Sequence, residues 1–198
     1  MANEYGTLAA LKSKLGIETD DTTRDALLTS ALASASRGID KTCGRRFWLD
    51  PAAVQRTFRL PGRVVCEDDG DLLLVDDIGS IAGLVVEAGS GASFAAVTGY
   101  ETSPDNALAD GKPITGLLRV LGTWGTATTR VRVTARFGWP AVPDDITEAA
   151  LIQASRLYKR KDSPEGIIGS AEWGVRNLSR RDPDVWALIE PYILPGFG

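Results

Sequence analysis

The sequence predicts an α+β protein, a small helical bundle made from both ends of the chain and interrupted by a large β-rich insertion. Three observations lead there. Apolar residues recur at helical spacing from Leu8 to Ile39 and again from Ile146 to Ile189. Between residues 47 and 137 the period drops to two, with β-branched runs broken by glycine-containing turns. The helical segments then resume, so the expected division is 1–46 with 138–198 as one helical core, and 47–137 inserted into it.

Taken in order, Leu8, Leu11 and Leu15 form a one-sided stripe, and Gly16 stops it. After a polar joint, Thr22 with Asp25 three places on has the pattern of a capping box. Leu28, Leu32, Ala35 and Ile39 continue as the second helix, and Gly44 offers its end beside Arg45 and Arg46. In the insertion, 55–60 alternates, with Phe58 and Leu60 on one side and Thr57 and Arg59 on the other. Runs at 64–66 and 72–75 flank an Asp-Gly hairpin signal, and 81–87, 94–97 and 117–120 read as further strands. The clearest strand is 130–137, where Val131, Val133, Ala135 and Phe137 oppose Arg130, Arg132, Thr134 and Arg136.

Helix returns after Pro140. Asp144 and Asp145 supply a capping carboxylate ahead of Ile146, and Ile146, Ala150, Ala154 and Leu157 make its stripe. Ser163-Pro164 is expected to end that helix. Asp182-Pro183 opens the last one in the favoured N-cap and N1 arrangement, and Pro191 stops it.

Composition narrows the chemistry. The 198 residues carry 22 basic and 26 acidic side chains, a net charge of −4, which disfavours a module that grips nucleic acid through its phosphates. Histidine is absent, which removes the commonest general base, the commonest neutral metal ligand and every Ser-His or Cys-His nucleophile pair. The expectation is a non-enzymatic protein with no cofactor, no metal and no catalytic residue. Cys43 and Cys66 read as reduced thiols of a cytoplasmic product. The start has no signal-peptide pattern and no apolar run is long enough for a bilayer, so no membrane association is expected. The acidic run at 67–71 lacks calcium-loop spacing, Gly111-Lys112 lacks the rest of a phosphate loop, and Asp76-Asp77 and Asp144-Asp145 read as turn and cap residues. Lys159-Arg160-Lys161 with Arg180-Arg181 is the only basic concentration worth naming; it suits a surface facing an acidic partner or a DNA channel, but a solvated helix end is the favoured reading.

Several motifs in order resemble the tailed-bacteriophage head-to-tail connector (adaptor) family. They are Tyr5-Gly-Thr-Leu-Ala-Ala-Leu-Lys12, Ala33-Ser-Ala-Ser-Arg-Gly-Ile-Asp40 with Cys43-Gly-Arg-Arg-Phe47, and Val75-Asp-Asp-Ile-Gly-Ser80. The longest stretch is Arg136-Phe-Gly-Trp-Pro-Ala-Val-Pro143, with Ala149 to Arg160, Asp162-Ser-Pro164, Asp182-Pro-Asp-Val185 and Pro191-Tyr192 after it. The resemblance implies a structural virion protein of the neck, assembled in the host cytoplasm. It implies a homo-oligomeric ring, a dodecamer, between the portal protein and a downstream neck or tail protein. The genome passes through its channel without specific binding.

Two segments are candidate contact surfaces. Ile167, Ile168, Trp173 and Val175 are apolar residues among glycines with no helical period, suited to inter-subunit contact or to a loop folded back on its own domain. The C-terminal segment 190–198 offers Tyr192, Ile193, Leu194 and Phe197 as portal-docking residues, the alternative being a tail tucked against its own helices. A competing function is a host-surface or carbohydrate-binding module on the insertion, which would need exposed aromatics clustered from Trp48, Tyr100 and Trp124.

Overall fold

The computed structural model describes residues 3–160, 167–168, 176–177 and 182–194, the two short pairs by backbone alone. The fold is mixed α+β, with four helices and a seven-stranded antiparallel sheet among the described residues. The chain divides into two compact units, Met1–Arg46 with Val142–Gly198, and Phe47–Ala141. The second boundary falls after 141 rather than 137 because Trp139 stays with the β unit. Its ring lies 5.2 Å from that of Phe47, and its indole N–H donates to Asp77 Oδ2 at 3.1 Å.

In the helical unit, α1 (Leu8–Leu15) is capped at its start by the Thr7 hydroxyl and ends at Gly16 in the left-handed region. α2 (Asp25–Cys43) buries Leu28, Leu32, Ala35, Ile39 and Cys43 on one face. α3 (Asp144–Lys159) buries Ile146, Ala149, Ala150, Leu151, Ala154 and Tyr158. The small side chains among these let the two helices approach closely, and α2 with α3 forms the centre of the unit. α4 (Pro183–Ile189) packs on α3, adding Val185 and Ile189, and leads into a 3-10 turn (Glu190–Tyr192).

Helix starts depart from the sequence reading in two places. The capping box does not form: Arg24 is the N-cap of α2 and gives no side-chain bond. Asp21 instead accepts from the Thr23 N–H at 3.0 Å and the Thr23 hydroxyl at 2.5 Å. Asp25 pairs with Lys12 Nζ at 2.6 Å. That distant cation draws the carboxylate away from its own helix terminus. Pro143 is likewise the uncapped N-cap of α3, and Asp145 turns to Tyr192 in the C-terminal segment. α3 ends at Lys159, ahead of Ser163-Pro164.

The β unit is built on β3 (Gly70–Ser90), a single strand of 21 residues where sequence suggested two. Register shifts at Leu74/Ile78, Ile78/Ser80 and Ser80/Val85 absorb Asp76-Asp77 and Gly79 as irregularities within it. Its first part pairs with β2 (Val64–Glu67) and β6 (Ile114–Val120), and its second part with β7 (Arg130–Phe137) and β4 (Ser93–Ala96). β1 (Val54–Arg59) adds to β7, and β5 (Glu101–Ser103), which sequence missed, adds to β6. The main order is β1-β7-β3-β6-β5, all antiparallel.

The predicted alternation holds along β7. Val131, Val133, Ala135 and Phe137 are buried with Leu73, Ile78, Val86 and Leu117 in the core, while Arg130, Arg132, Thr134 and Arg136 take the other face. Each fully buried Val, Leu or Phe of this core contributes about 1.5–3 kcal/mol as an upper figure. Gly138, at φ +116°, closes the strand: a Cβ there would stand 2.0 Å from the Trp48 carbonyl oxygen.

β8 (Ile167–Ile168) and β9 (Arg176–Asn177) form a separate antiparallel pair.

Candidate contact surfaces

The C-terminal segment is held by groups from two helices of its own unit. Asp182 caps α4, accepting from Asp184 N–H at 2.9 Å and Val185 N–H at 3.3 Å, and pairs with Arg156 of α3 at 3.0 Å. After the 3-10 turn, the Tyr192 hydroxyl donates to Asp145 Oδ2 at 3.1 Å. The Leu194 N–H donates to the Cys43 carbonyl at 2.9 Å, satisfying one of the orphan acceptors at the end of α2. Burial, then the hydrogen bond to Asp145 and the negative charges of Asp145 and Asp144, push the Tyr192 phenol up.

Through Leu194, therefore, the candidate docking residues lie against their own helices. Tyr192 and Ile193 are half-buried, and Leu194 is tied by its backbone while its side chain stays exposed. Phe197 lies outside the described residues. The same holds for Trp173 and Val175, and for the side chains of Ile167 and Ile168, whose backbones form β8. α2, α3 and α4 also enclose a cleft of about 200 Å³ lined by Ser34, Gly38, Thr42, Gln153 and Trp186 among others. No sequence signal pointed to it.

The insertion's aromatics do not gather on its surface. Trp124 is 3% exposed, with its indole N–H donating to the carbonyls of Asp71 (2.9 Å) and Leu117 (3.2 Å). Tyr100 packs on it at 6.5 Å. Trp124 is a core residue and Tyr100 is half-buried against it, so these two do not form the exposed cluster that a sugar platform would need.

The paired carboxylates have structural partners. Asp76 pairs with Arg56 at 2.7 Å and Arg63 at 3.5 Å, and Asp77 accepts from Gly138 through its carbonyl and from Trp139 through its side chain. Among the described residues no group of three or more Cys, Asp or Glu is arranged to hold a metal, and no helix is long and apolar enough to cross a membrane. Cys43 is buried and Cys66 exposed, both as free thiols.

The outer face of the β1-β7-β3-β4 region carries a charge pattern that sequence reading passed over. Thr57 and Arg59 of β1, with Arg130, Arg132 and Arg136 of β7, lie on it, and Arg59 is directly opposite Arg130. The Arg132 guanidinium lies 3.5 Å over the Phe94 ring, Arg136 Nε donates to the Asp50 carbonyl at 2.8 Å, and Arg130 donates to the Ala127, Thr128 and Thr129 carbonyls.

No family model matches the chain, and no curated protein matches it. Solved structures do. One is a chain of the neck of an empty gene transfer agent (GTA) particle computed with C6 symmetry. It has a TM-score of 0.57 and 18% identity, with 100% of this chain and 98% of that one covered. Another belongs to the virion of a native GTA particle, with a TM-score of 0.55, 18% identity and coverage of 98% and 92%. At that identity the likeness is one of fold, and it spans both units of the chain.

Proposed function

We propose that this protein is a structural subunit of the neck of a tailed, phage-like particle, a head-to-tail connector that forms a ring between the portal and the downstream neck or tail protein. The observation that carries the reading is coverage. The fold likeness to a GTA neck chain runs over the whole of both chains, β insertion included. A connector needs no catalysis; its free energy comes from buried interface. The sequence without histidine fits that role.

The ring has twelve copies in this reading, a multiple of the sixfold symmetry of the neighbouring neck, and it encloses a channel through which the genome passes. The overall acidic charge suits a channel in which DNA slides rather than sticks. The C-terminal segment meets the portal. Tyr192, Ile193 and Leu194 are positioned by their own helices, which anchors the docking segment at the end of α2. No cofactor is required, and assembly takes place in the host cytoplasm.

The test is mass by light scattering of the protein alone and with its portal, using the full chain and a chain lacking 195–198. That truncation keeps the Leu194 bond to Cys43. A ring-sized complex with the portal, lost on truncation, supports both the ring and the docking end. A protein indifferent to the portal refutes the connector reading.

A further inference from the structure

Two surfaces of the β unit are each crowded with one sign of charge. The first is the outer sheet face, where Arg59 stands opposite Arg130, and Arg132 and Arg136 continue along β7. Like charges directly opposite in a ladder repel. Among the described residues no carboxylate lies within ion-pair distance of any of the four, Glu87 opposite Arg132 included. Three of them are fixed by a ring or by carbonyls instead, which holds their remaining N–H donors in place.

The second surface is the β2–β3 hairpin tip. Glu67, Asp68 and Asp69 are consecutive, fully on the surface, and without a cationic partner among the described residues. Asp68 and Asp69 are the two turn residues and Glu67 ends the strand before them, so the three carboxylates share the hairpin tip. Overall the β unit is acidic, with 8 Lys and Arg against 11 Asp and Glu, so its arginine face is a local exception.

We propose that the acidic β2–β3 tip of one copy docks on the arginine face of the next. The inference rests on the ring reading and deepens it by naming the subunit contact. A patch that meets a different patch on an identical neighbour is a heterologous interface, the type that closes into rings. Each surface is self-repelling in one copy and relieved by the other, so charge complementarity selects a second copy as the occupant. Opposite potentials also steer the encounter and set its register.

Two variants test this. The face variant carries Arg130→Glu and Arg132→Glu; the tip variant carries Asp68→Lys and Asp69→Lys. All four side chains point out of the core, and circular dichroism checks that both variants fold. Assembly is followed by sedimentation velocity, alone and on the portal. The wild type assembles and weakens as salt rises from about 0.01 M to about 1 M, which shortens the screening length from about 30 Å to about 3 Å. Each variant alone associates at least about 100-fold more weakly. An equal mixture regains assembly, because face and tip are then complementary between unlike copies. Rings formed equally well by wild type and both variants would overturn the contact and leave the ring reading standing. No assembly by any of them, with or without portal, would overturn the ring reading itself. An arginine face that binds duplex DNA, while mixed variants fail to rescue assembly, would reassign it to nucleic acid.

Discussion

Lys12, in the last turn of α1, reaches the joint between α1 and α2 and is 3% exposed. Its ammonium donates to the Asp21 carbonyl at 2.9 Å and the Thr19 carbonyl at 3.1 Å, and forms an ion pair with Asp25 Oδ1 at 2.6 Å. The chain from 16 to 24 is thus folded around one charge. Lys12→Met keeps the length of the stem and deletes every donor. Hydrogen bonds to a charged group contribute about 1.5–3 kcal/mol each, but removing the lysine also removes the cost of desolvating it. Asp25 is 29% exposed and Thr19 lies on the surface, so water replaces part of what is lost. The expected net destabilisation is about 2–3 kcal/mol. Asp25→Asn, which removes the charge but leaves both carbonyl contacts, costs about 1 kcal/mol. Urea unfolding followed by the helical signal measures both. The reasoning fails if Lys12→Met lies within about 0.5 kcal/mol of wild type, or if Asp25→Asn costs as much.

Three other substitutions have outcomes set by the same kind of geometry. Asp182→Ala removes the α4 cap and the partner of Arg156 together, and is expected to cost about 1–2 kcal/mol in thermal or urea unfolding; Asp182→Asn recovers the cap and loses only the ion pair. Gly138→Ala places a Cβ 2.0 Å from the Trp48 carbonyl at a φ of +116°, and is expected to lose about 3 kcal/mol or more, or to prevent soluble expression. Burial pushes the Cys43 thiol up to about 11, with Arg45 opposing and Asp40 adding to the effect. A raised value means that the stability tied to the neutral thiol is complete below pH 9 and is lost as pH climbs through about 11, which Cys43→Ala abolishes in an alkaline unfolding profile.

What sequence made legible was whatever depends on neighbours along the chain. The alternation of 130–137 identified the buried face of β7 residue by residue, and Asp182-Pro183 identified the start of α4. What it missed depends on distant partners. Asp25 has the local pattern of a cap, but a cation from α1 reaches it first. Asp76-Asp77 with Gly79 two places on has the composition of a turn, yet pairing with β6 and β7 carries β3 straight through. β5 is three residues long and has no period to detect. The same limit governs the surfaces. Arg130, Arg132 and Arg136 alternate visibly in the sequence, but nothing local says that Phe94 and the Asp50 carbonyl hold two of them, or that Arg59 stands opposite the first. Tyr192 was marked by its chemistry, while its partner Asp145 stands 47 positions away.

The two proposed contacts belong to different units, the charge pair to 47–141 and the docking end to the helical unit, and this makes them separable by mutation. Reversing Arg130 and Arg132 should abolish lateral association while leaving 192–198 intact; deleting 195–198 should spare lateral association. Portal binding distinguishes how the two combine. If each docking end binds strongly by itself, the face variant still occupies the portal as separate subunits. If each end binds weakly, occupancy depends on the ring, because linking many weak sites raises avidity by about 10²–10⁴ without any new contact. The face variant then loses portal binding despite an unaltered tail, and the truncated chain forms empty rings. Titrating portal with the face variant, the truncated chain and an equal mixture of truncated and full-length chains separates these cases. Mixed rings whose portal occupancy rises more steeply than the number of intact tails they carry are the signature of the avidity mechanism, and binding by the isolated face variant at wild-type strength excludes it.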